Sequence, residues 1–447
     1  MIEFKCYIVK MMTYETYAIF ILQINQKLYF AKVSTSEGDK QYMYRQQSLI
    51  TLDQFYEWKP LSKLEAVLSF IDFTLLDQFF EYNPHKRGPK GYSWKCLFSA
   101  LIAMQVEQIV TIKSLVQRLK SDPVFKRSLG FGYLDRSPSE ATLNRFINLV
   151  SGTDILEKTF RRMIRSARKL GIIDAVNVAI DSSKLTAYEH SVPKSRIPEN
   201  NPEFPNWGGK LDTNGNFIKW FGWKMHALVD TSTGIPISYV ITPANIADMD
   251  IAETLIQKMM DDYDEEIHPK YYIMDAGYDK PELYASIYTK FQGQAIIPVN
   301  WRNTKIPPEG MNMEGQLVCA MNYPYVYGGN DNGTIRLLCP HSCGKCNCPM
   351  GSAWCSSSNT GYVGKVKIKD DPRFITAPFR GTAAYEKLYN QRTSVERAFG
   401  DLKDNYNLDN IRVAKMARVK VFMDLSCIAF LASRLADTAS KDKTKAA

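Results

Sequence analysis

The spacing of apolar residues changes several times along the chain, and each change marks a different kind of element. Residues 17–24 (YAIFILQI) and 27–33 (KLYFAKV) are short runs of β-branched and aromatic residues, predicting strands in a β-rich or mixed segment over residues 1–60. No function follows from that segment. From 61 to 155 the apolar positions recur at helical spacing, in LSKLEAVLSFIDFTLLDQFFEY, WKCLFSALIAMQVEQIV, IKSLVQRLK and SEATLNRFINLVSG. These predict a small helical domain. Ser137, Pro138 and Glu140 fit a helix start, with Ser as cap, Pro in the first turn and Glu closing a capping box.

A linking helix over 156–170 leads into short apolar runs at 176–181 (VNVAID), 224–230 (KMHALVD) and 235–241 (IPISYVI), the last two separated by the turn TSTG. A helix over 250–263, a strand at 271–275 (YYIMD), a helix over 280–291 and a strand at 294–299 (QAIIPV) follow. Three strands and then alternating helix and strand predict an α/β core with a mixed sheet over 156–300. Both patterns lapse in 301–383, which is rich in Gly, Pro, Asn and Cys and reads as an insertion. A strong helix is predicted over 384–404 and a last one over 415–435, with a polar, disordered tail at 436–447.

Composition narrows the class. With 45% hydrophobic and 23% charged residues in 447, the chain can bury a large core, and its formal charge of +9 suits a polyanionic partner. No stretch near residue 1 combines the parts of a secretory signal, and the longest apolar run near the other end, 425–432, is far short of a membrane span. A soluble, cytoplasmic protein is expected. In the helical region the basic loop HKRGPKG (85–91) and the helix bearing Thr142, Asn144 and Arg145 fit a helix-turn-helix reader of DNA as well as they fit plain packing.

The candidate chemistry is carboxylate chemistry. Asp181 and Asp275 each end a short apolar strand, where ligand sites of open α/β sheets collect. Downstream, in YNQRTSVERAFGDLK, Tyr389, Arg392, Glu396 and Lys403 are spaced by three, four and seven residues, which on one continuous helix puts all four on one face. A charge-laced surface helix would give the same spacing.

The array Y-x2-R-x3-E-x6-K resembles the signature of a large branch of bacterial insertion-sequence transposases of the DDE type. AIDSSKLTAYE, FGWKMHALVDTSTGIPISYVITPANIADMD, MDAGYDKPEL and NLDNIRVAKMARV are similar to segments of the same branch, so the resemblance spans roughly 80–430. The second Asp stands in DAGYD, where many members of the branch carry Asp-Arg-Glu. The resemblance implies an RNase H-like core and a catalytic triad of Asp181, Asp275 and Glu396 holding two Mg²⁺ or Mn²⁺ ions. Tyr389, Arg392 and Lys403 would position the DNA end. It also implies strand cleavage at element ends, strand transfer into target double-stranded DNA, and a homodimer, because an element has two ends. Hard oxygen ligands suit those ions, which explains carboxylates without an obligatory histidine. A nuclease that cuts without joining, and a DNA-binding protein with a dead centre, are the rival readings.

Other residues have separate readings. In the insertion, Cys339, Cys343, Cys346 and Cys348 of CPHSCGKCNC have metal-ligand spacing, and a structural Zn²⁺ is expected there, with Cys355 or Cys319 as substitutes for one ligand and an iron–sulfur cluster as the lesser alternative. Trp220, Phe221 and Trp223, interleaved with Lys219 and Lys224, fit a strand filling the core better than a base-stacking platform. His226 reads as structural or as a support behind the ligands, and Asp248 and Asp250 as helix caps, with a supporting role near the metals as the lesser alternative.

Overall fold

The computed structural model describes the backbone of residues 5–7, 17–24 and 27–34, and residues 62–446 except 81–90, 199–200, 212–213, 264–265 and 303; side chains at 211 and 441–446 are also outside the description. Most of the basic loop at 85–91 therefore lies outside the described residues.

The chain forms two units, 1–61 and 62–447. In the first, β1 (Lys5–Tyr7), β2 (Tyr17–Ile24) and β3 (Lys27–Ser34) make an antiparallel sheet, and β2 and β3 fall on the two runs singled out by composition.

The second unit opens with helices α1 (Lys63–Ser69), α2 (Thr74–Phe79), α3 (Trp94–Val106), α4 (Ile112–Ser121), α5 (Pro123–Ser128), α6 (Glu140–Ser151) and α7 (Ile155–Lys169). The single helical run expected over 61–82 is two helices. The Asp72 carboxylate accepts from the Thr74 amide at 2.9 Å and starts the second of them. The cap expected of Ser137 belongs instead to Ser139, whose hydroxyl accepts from the Thr142 amide, while Ser137 Oγ donates to the Leu119 carbonyl. Ser139 precedes the first helical residue directly, so its oxygen can reach the second and third helical amides.

The catalytic-type sheet contains β4 (Asn177–Thr186), β5 (Asn206–Leu211), β6 (Phe217–Asp230), β7 (Pro236–Pro243), β8 (Tyr271–Ile273) and β9 (Gln294–Ile296). Strands β4, β6 and β7 are antiparallel neighbours, with β5 pairing the other half of the long β6, while β8 and β9 add in parallel beyond β4. This is a mixed sheet of the RNase H-like kind, with α8 (Asp248–Tyr263) and α9 (Pro281–Thr289) as crossovers. Trp220, Phe221 and Trp223 are buried in β6, as a core strand requires. A Cβ at Gly208 of β5 would meet the Trp220 indole at 2.5 Å, so the close pairing of β5 with β6 depends on glycine there.

Residues 301–383 contain an antiparallel sheet that the sequence pattern did not reveal: β10 (Val326–Asp331), β11 (Thr334–Leu338) and β12 (Val363–Lys367), over a small core of Ile335, Leu337, Ile368, Ile375 and Phe379. The chain then forms α10 (Ala383–Tyr389), a 3₁₀ turn at Asn390–Arg392, α11 (Thr393–Asn405) and α12 (Met416–Ala446). The polar residues 436–446, expected to be a disordered tail, continue α12. Ala, Lys, Asp and Thr there carry no helix breaker, so nothing ends the helix. Among the described residues no helix is long and apolar enough to cross a membrane.

Candidate active site

The two aspartates come from adjacent parallel strands. Ala179 of β4 is in register with Ile273 of β8, and Asp181 and Asp275 each lie two residues beyond that pair. Equal steps along neighbouring strands, which run about 4.8 Å apart, bring the two carboxylates to one level and one face. Neither Asp is the last residue of its strand: β8 ends at Ile273, two residues before Asp275, which caps the following 3₁₀ turn, and β4 runs on past Asp181. β4 continues five residues past Asp181 because β6 pairs with it as far as Thr186, whereas β8 pairs only through Ala179. Asp181 therefore lies where one neighbour stops and the other continues, a rigid position open on one side.

The polypeptide holds both side chains. The Ser182 amide donates to Asp181 Oδ1 at 2.7 Å, and the Gly277 amide donates to Asp275 Oδ1 at 2.9 Å. Burial, followed by the charges of Asp275 and Asp248, pushes the Asp181 carboxyl up to about 6, although the Ser182 amide and Arg392 oppose this. Tyr278 is buried against the same three carboxylates, which add to burial in raising its hydroxyl well above the usual range, and that hydroxyl has no hydrogen-bond partner.

The helical array is broken where the sequence implied one continuous helix. The 3₁₀ turn between α10 and α11 changes the rotation per residue, so Tyr389 does not continue the face of α11. Gln391 fixes the turn to the sheet by accepting from Asn177 Nδ2 at 3.0 Å and Thr231 Oγ1 at 2.8 Å. Arg392 then projects toward the carboxylates and donates to Glu396 Oε1 at 2.8 Å, while also lowering the pKa of Asp181. Tyr389 stacks on Tyr385 over β8 and β9 and lies under the Arg392 guanidinium. Lys403 pairs with Asp409 at 3.1 Å instead of with the other three. Glu396 is exposed and reaches Arg392 rather than the aspartates.

Other charged residues gather here, Asp248 and His226 with a supporting role as one of their readings from sequence, Asp279 and Arg373 with none. Asp248 accepts from Lys224 Nζ at 2.9 Å and lies 3.7 Å from His226 Nδ1. His226 is buried, and that burial pulls its ring down to about 4, so it is neutral and bonded through Nε2 to Thr242. Asp279 is fully buried and receives a bidentate pair from Arg373 of the insertion, at 3.0 and 2.7 Å. None of Tyr278, Asp279 and Gln391 was singled out from sequence, although Tyr278 and Asp279 stand inside the DAGYD motif around Asp275.

Among the described residues no three His, Cys, Asp or Glu side chains converge closely enough to hold a metal ion as they stand. The donor set nevertheless suits a hard divalent cation: crowded carboxylates, one of them pushed toward neutrality, beside an unpartnered phenol. In the insertion, Cys319, Cys339, Cys348 and Cys355 line a cavity of about 390 Å³ together with His341. Cys343, expected to be a ligand, is exposed and does not line that cavity, and neither does Cys346. In the helical region, Asn144 is engaged by Arg418 of α12 and Arg145 is exposed.

Two known families match this sequence. The family model described as a transposase DDE domain matches residues 165–432, and a second, described as a transposase domain (DUF772), matches residues 49–149. No curated protein gives a significant match. Among solved structures the chain is similar to the piggyBac transposase in a synaptic complex with hairpin DNA, at 13% identity and a TM-score of 0.37 over 85% of this chain and 75% of that one. The first match spans more than half of the chain and contains both aspartates, the 3₁₀ turn and α11, and on that ground the chain belongs to the DDE transposase family.

Proposed function

We propose that Asp181, Asp275 and Glu396 are the catalytic triad of this DNA transposase, and that Arg392 acts on the DNA phosphates beside them. The supporting observation is the shared register of Asp181 and Asp275 on parallel strands, with Arg392 set against them by the 3₁₀ turn and Glu396 one helical turn further on. Two divalent ions held by these carboxylates would supply a deprotonated nucleophile and a stabilised leaving oxygen. The chain's own groups do the rest. The Ser182 and Gly277 amides hold the carboxylates in place, and the Arg392 guanidinium can exchange its carboxylate for a phosphate with the same fork geometry. Tyr389 offers a flat surface under Arg392, and Lys403, paired with Asp409 in the free chain, would meet the DNA as a point charge once released from it.

The substrates are the double-stranded ends of the element and the target DNA, and two copies of the chain act together because two ends must be joined. The setting is the bacterial cytoplasm, on the nucleoid. Cysteines of the insertion would hold a structural zinc once drawn together around it. The shared cavity favours Cys319, Cys339, Cys348 and Cys355 over the local set of Cys339, Cys343, Cys346 and Cys348.

The test is cleavage of a DNA fragment carrying the flanking element ends with Mg²⁺ or Mn²⁺, comparing the native protein with Glu396→Gln and Asp181→Asn. The expected result is nicking at the element boundary by the native protein and at least a hundredfold slower nicking by each variant, with DNA binding retained, since each removes a charged ligand but keeps its shape. Equal cutting by native protein and Glu396→Gln would remove Glu396 from the triad. Joined products would exclude a plain nuclease.

A further inference from the structure

Strands β11 and β12 are joined by the cysteine-bearing connection 339–362, and their pairing sorts the insertion's charges onto one side. The register places Thr334 opposite Lys367, Arg336 opposite Lys365 and Leu338 opposite Val363, and directly opposed residues share a face. The other face carries Ile335 and Leu337, which are buried in the insertion's own core. The outer face therefore presents Arg336, Lys365 and Lys367, all exposed, with the exposed Lys369 just beyond. β10 leaves room for the arginine. A Cβ at Gly328 would meet Arg336 Cβ at 3.1 Å, and one at Gly329 would meet its guanidinium at 3.4 Å.

The cations near the triad are already engaged. Lys224 pairs with Asp248, Lys280 with Asp250, Arg373 with Asp279, Arg392 with Glu396 and Lys403 with Asp409. Among the described residues, Arg336, Lys365, Lys367 and Lys369 make no ion pair. Of the neighbouring acids, Asp331 ends β10 opposite Thr334 and Asp370 follows Lys369 in the turn after β12, and neither pairs with these cations. Like charges facing each other across a sheet cost stability, so a row of this kind suits a partner that supplies negative charge in a regular array. Positions two apart on a strand are about 6.6 Å apart, which spreads the row over several phosphates of a duplex rather than over one anion.

We propose that this face binds the sugar-phosphate backbone of duplex DNA without regard to base sequence, as a contact separate from the triad. The choice of DNA as partner rests on the transposase reading, but the contact needs neither metal nor cleavage. Two lysines two apart on a strand, with no Asn or Gln on the same face, supply point charges to phosphates, and the one arginine opposite them can fork onto a phosphate in the same way. The insertion can hold that duplex in a fixed relation to the triad because the Arg373 pair to Asp279, and Arg380 bonded to the Ile297 carbonyl and Tyr284 hydroxyl, tie it to the ends of the core strands.

The experiment is equilibrium binding of the full chain to an element-end duplex and to an unrelated duplex of equal length, over a range of salt and with no divalent metal added. Native protein is compared with Lys365→Gln/Lys367→Gln and with Lys365→Arg/Lys367→Arg. For the glutamine pair, weaker binding to both duplexes is expected, with the slope of log Kobs against log salt reduced by about 0.9 for each lysine that contacts a phosphate. The arginine pair is expected to keep the native slope. An unchanged slope and affinity in the glutamine pair would overturn the proposal, as would a loss confined to the element-end duplex. Because no cutting is read, failure of the triad assignment leaves this result interpretable. Failure here leaves the triad untouched.

Discussion

Asp181 shows how a single side chain can be suited to a ligand and costly without it. Burial first, and the charges of Asp275 and Asp248 after it, raise its carboxyl to about 6 in the folded protein, against an ordinary 3.8. Above pH 6 the folded protein carries a charge that the unfolded chain carries more cheaply, so stability is lower there; below about pH 4 both states are protonated and the penalty is gone. Holding that charge at neutral pH costs the fold about 2 kcal/mol once relaxation around it is allowed for. Asp181→Asn in the metal-free protein is therefore expected to raise the melting temperature at pH 7.5 and to leave it near native at pH 4, by thermal melts at both pH values. A variant less stable than native at pH 7.5 would show that the carboxylate is held by favourable bonds rather than strained by its neighbours. His226 is strained in the opposite sense: burial keeps it neutral, so it contributes a hydrogen bond to Thr242 and no charge to the site.

The sequence was informative about elements wherever one periodicity ran unbroken. The strands at 17–24 and 27–33, the helices at 112–120 and 156–170 and the alternation beyond 235 lie close to the observed elements. What escaped were features set by a partner rather than by the strand or helix itself. β4 extends past Asp181 because β6 is long, and β5 exists because β6 has a second half to pair with. The break between α10 and α11 is held by Gln391 bonding to Asn177 and Thr231, contacts more than 150 residues away in sequence. The resemblance supplied the identity of the candidate triad, and β-strand register then explained why two aspartates 94 residues apart stand together. The cysteines were legible as a cluster but not as a set, since Cys319 comes from before β10 and Cys355 from late in the β11–β12 connection. Metal analysis of protein purified without chelator is expected to give one zinc per chain. Cys339→Ser and Cys355→Ser should lose it and Cys343→Ser should keep it. No zinc in the native protein, or dependence on Cys343, would count against the cavity set.

At the scale of the whole molecule, the helices before the sheet, the sheet and the helices after the insertion share one large core that runs from Leu64 of α1 to Leu435 of α12, while the insertion keeps its own. Helix α12 packs against α1, α3, α6 and α7, so the helices before the sheet and those after Glu396 are parts of one body. Glu157 of α7 ties the same body together. Burial pulls its carboxyl up, but Lys258 of α8 and Lys420 of α12, at 2.6 and 2.5 Å, hold it down to about 2.

One pair in that body has a thermodynamic consequence. Arg392 and Glu396 satisfy each other in the free protein, so a phosphate that takes Arg392 releases Glu396, and a cation that takes Glu396 releases Arg392. Each ligand thus removes the other's competitor, and reciprocity requires that DNA strengthen Mn²⁺ binding by the same factor as Mn²⁺ strengthens DNA binding. Calorimetric titration of Mn²⁺ into Asp181-intact protein with and without a pre-nicked, uncleavable end is expected to show tighter binding with DNA. An identical affinity in both titrations would mean that the pair stays closed during the reaction. An exposed pair of this kind is weak, so its exchange would bias the two ligands toward arriving together rather than bar either alone.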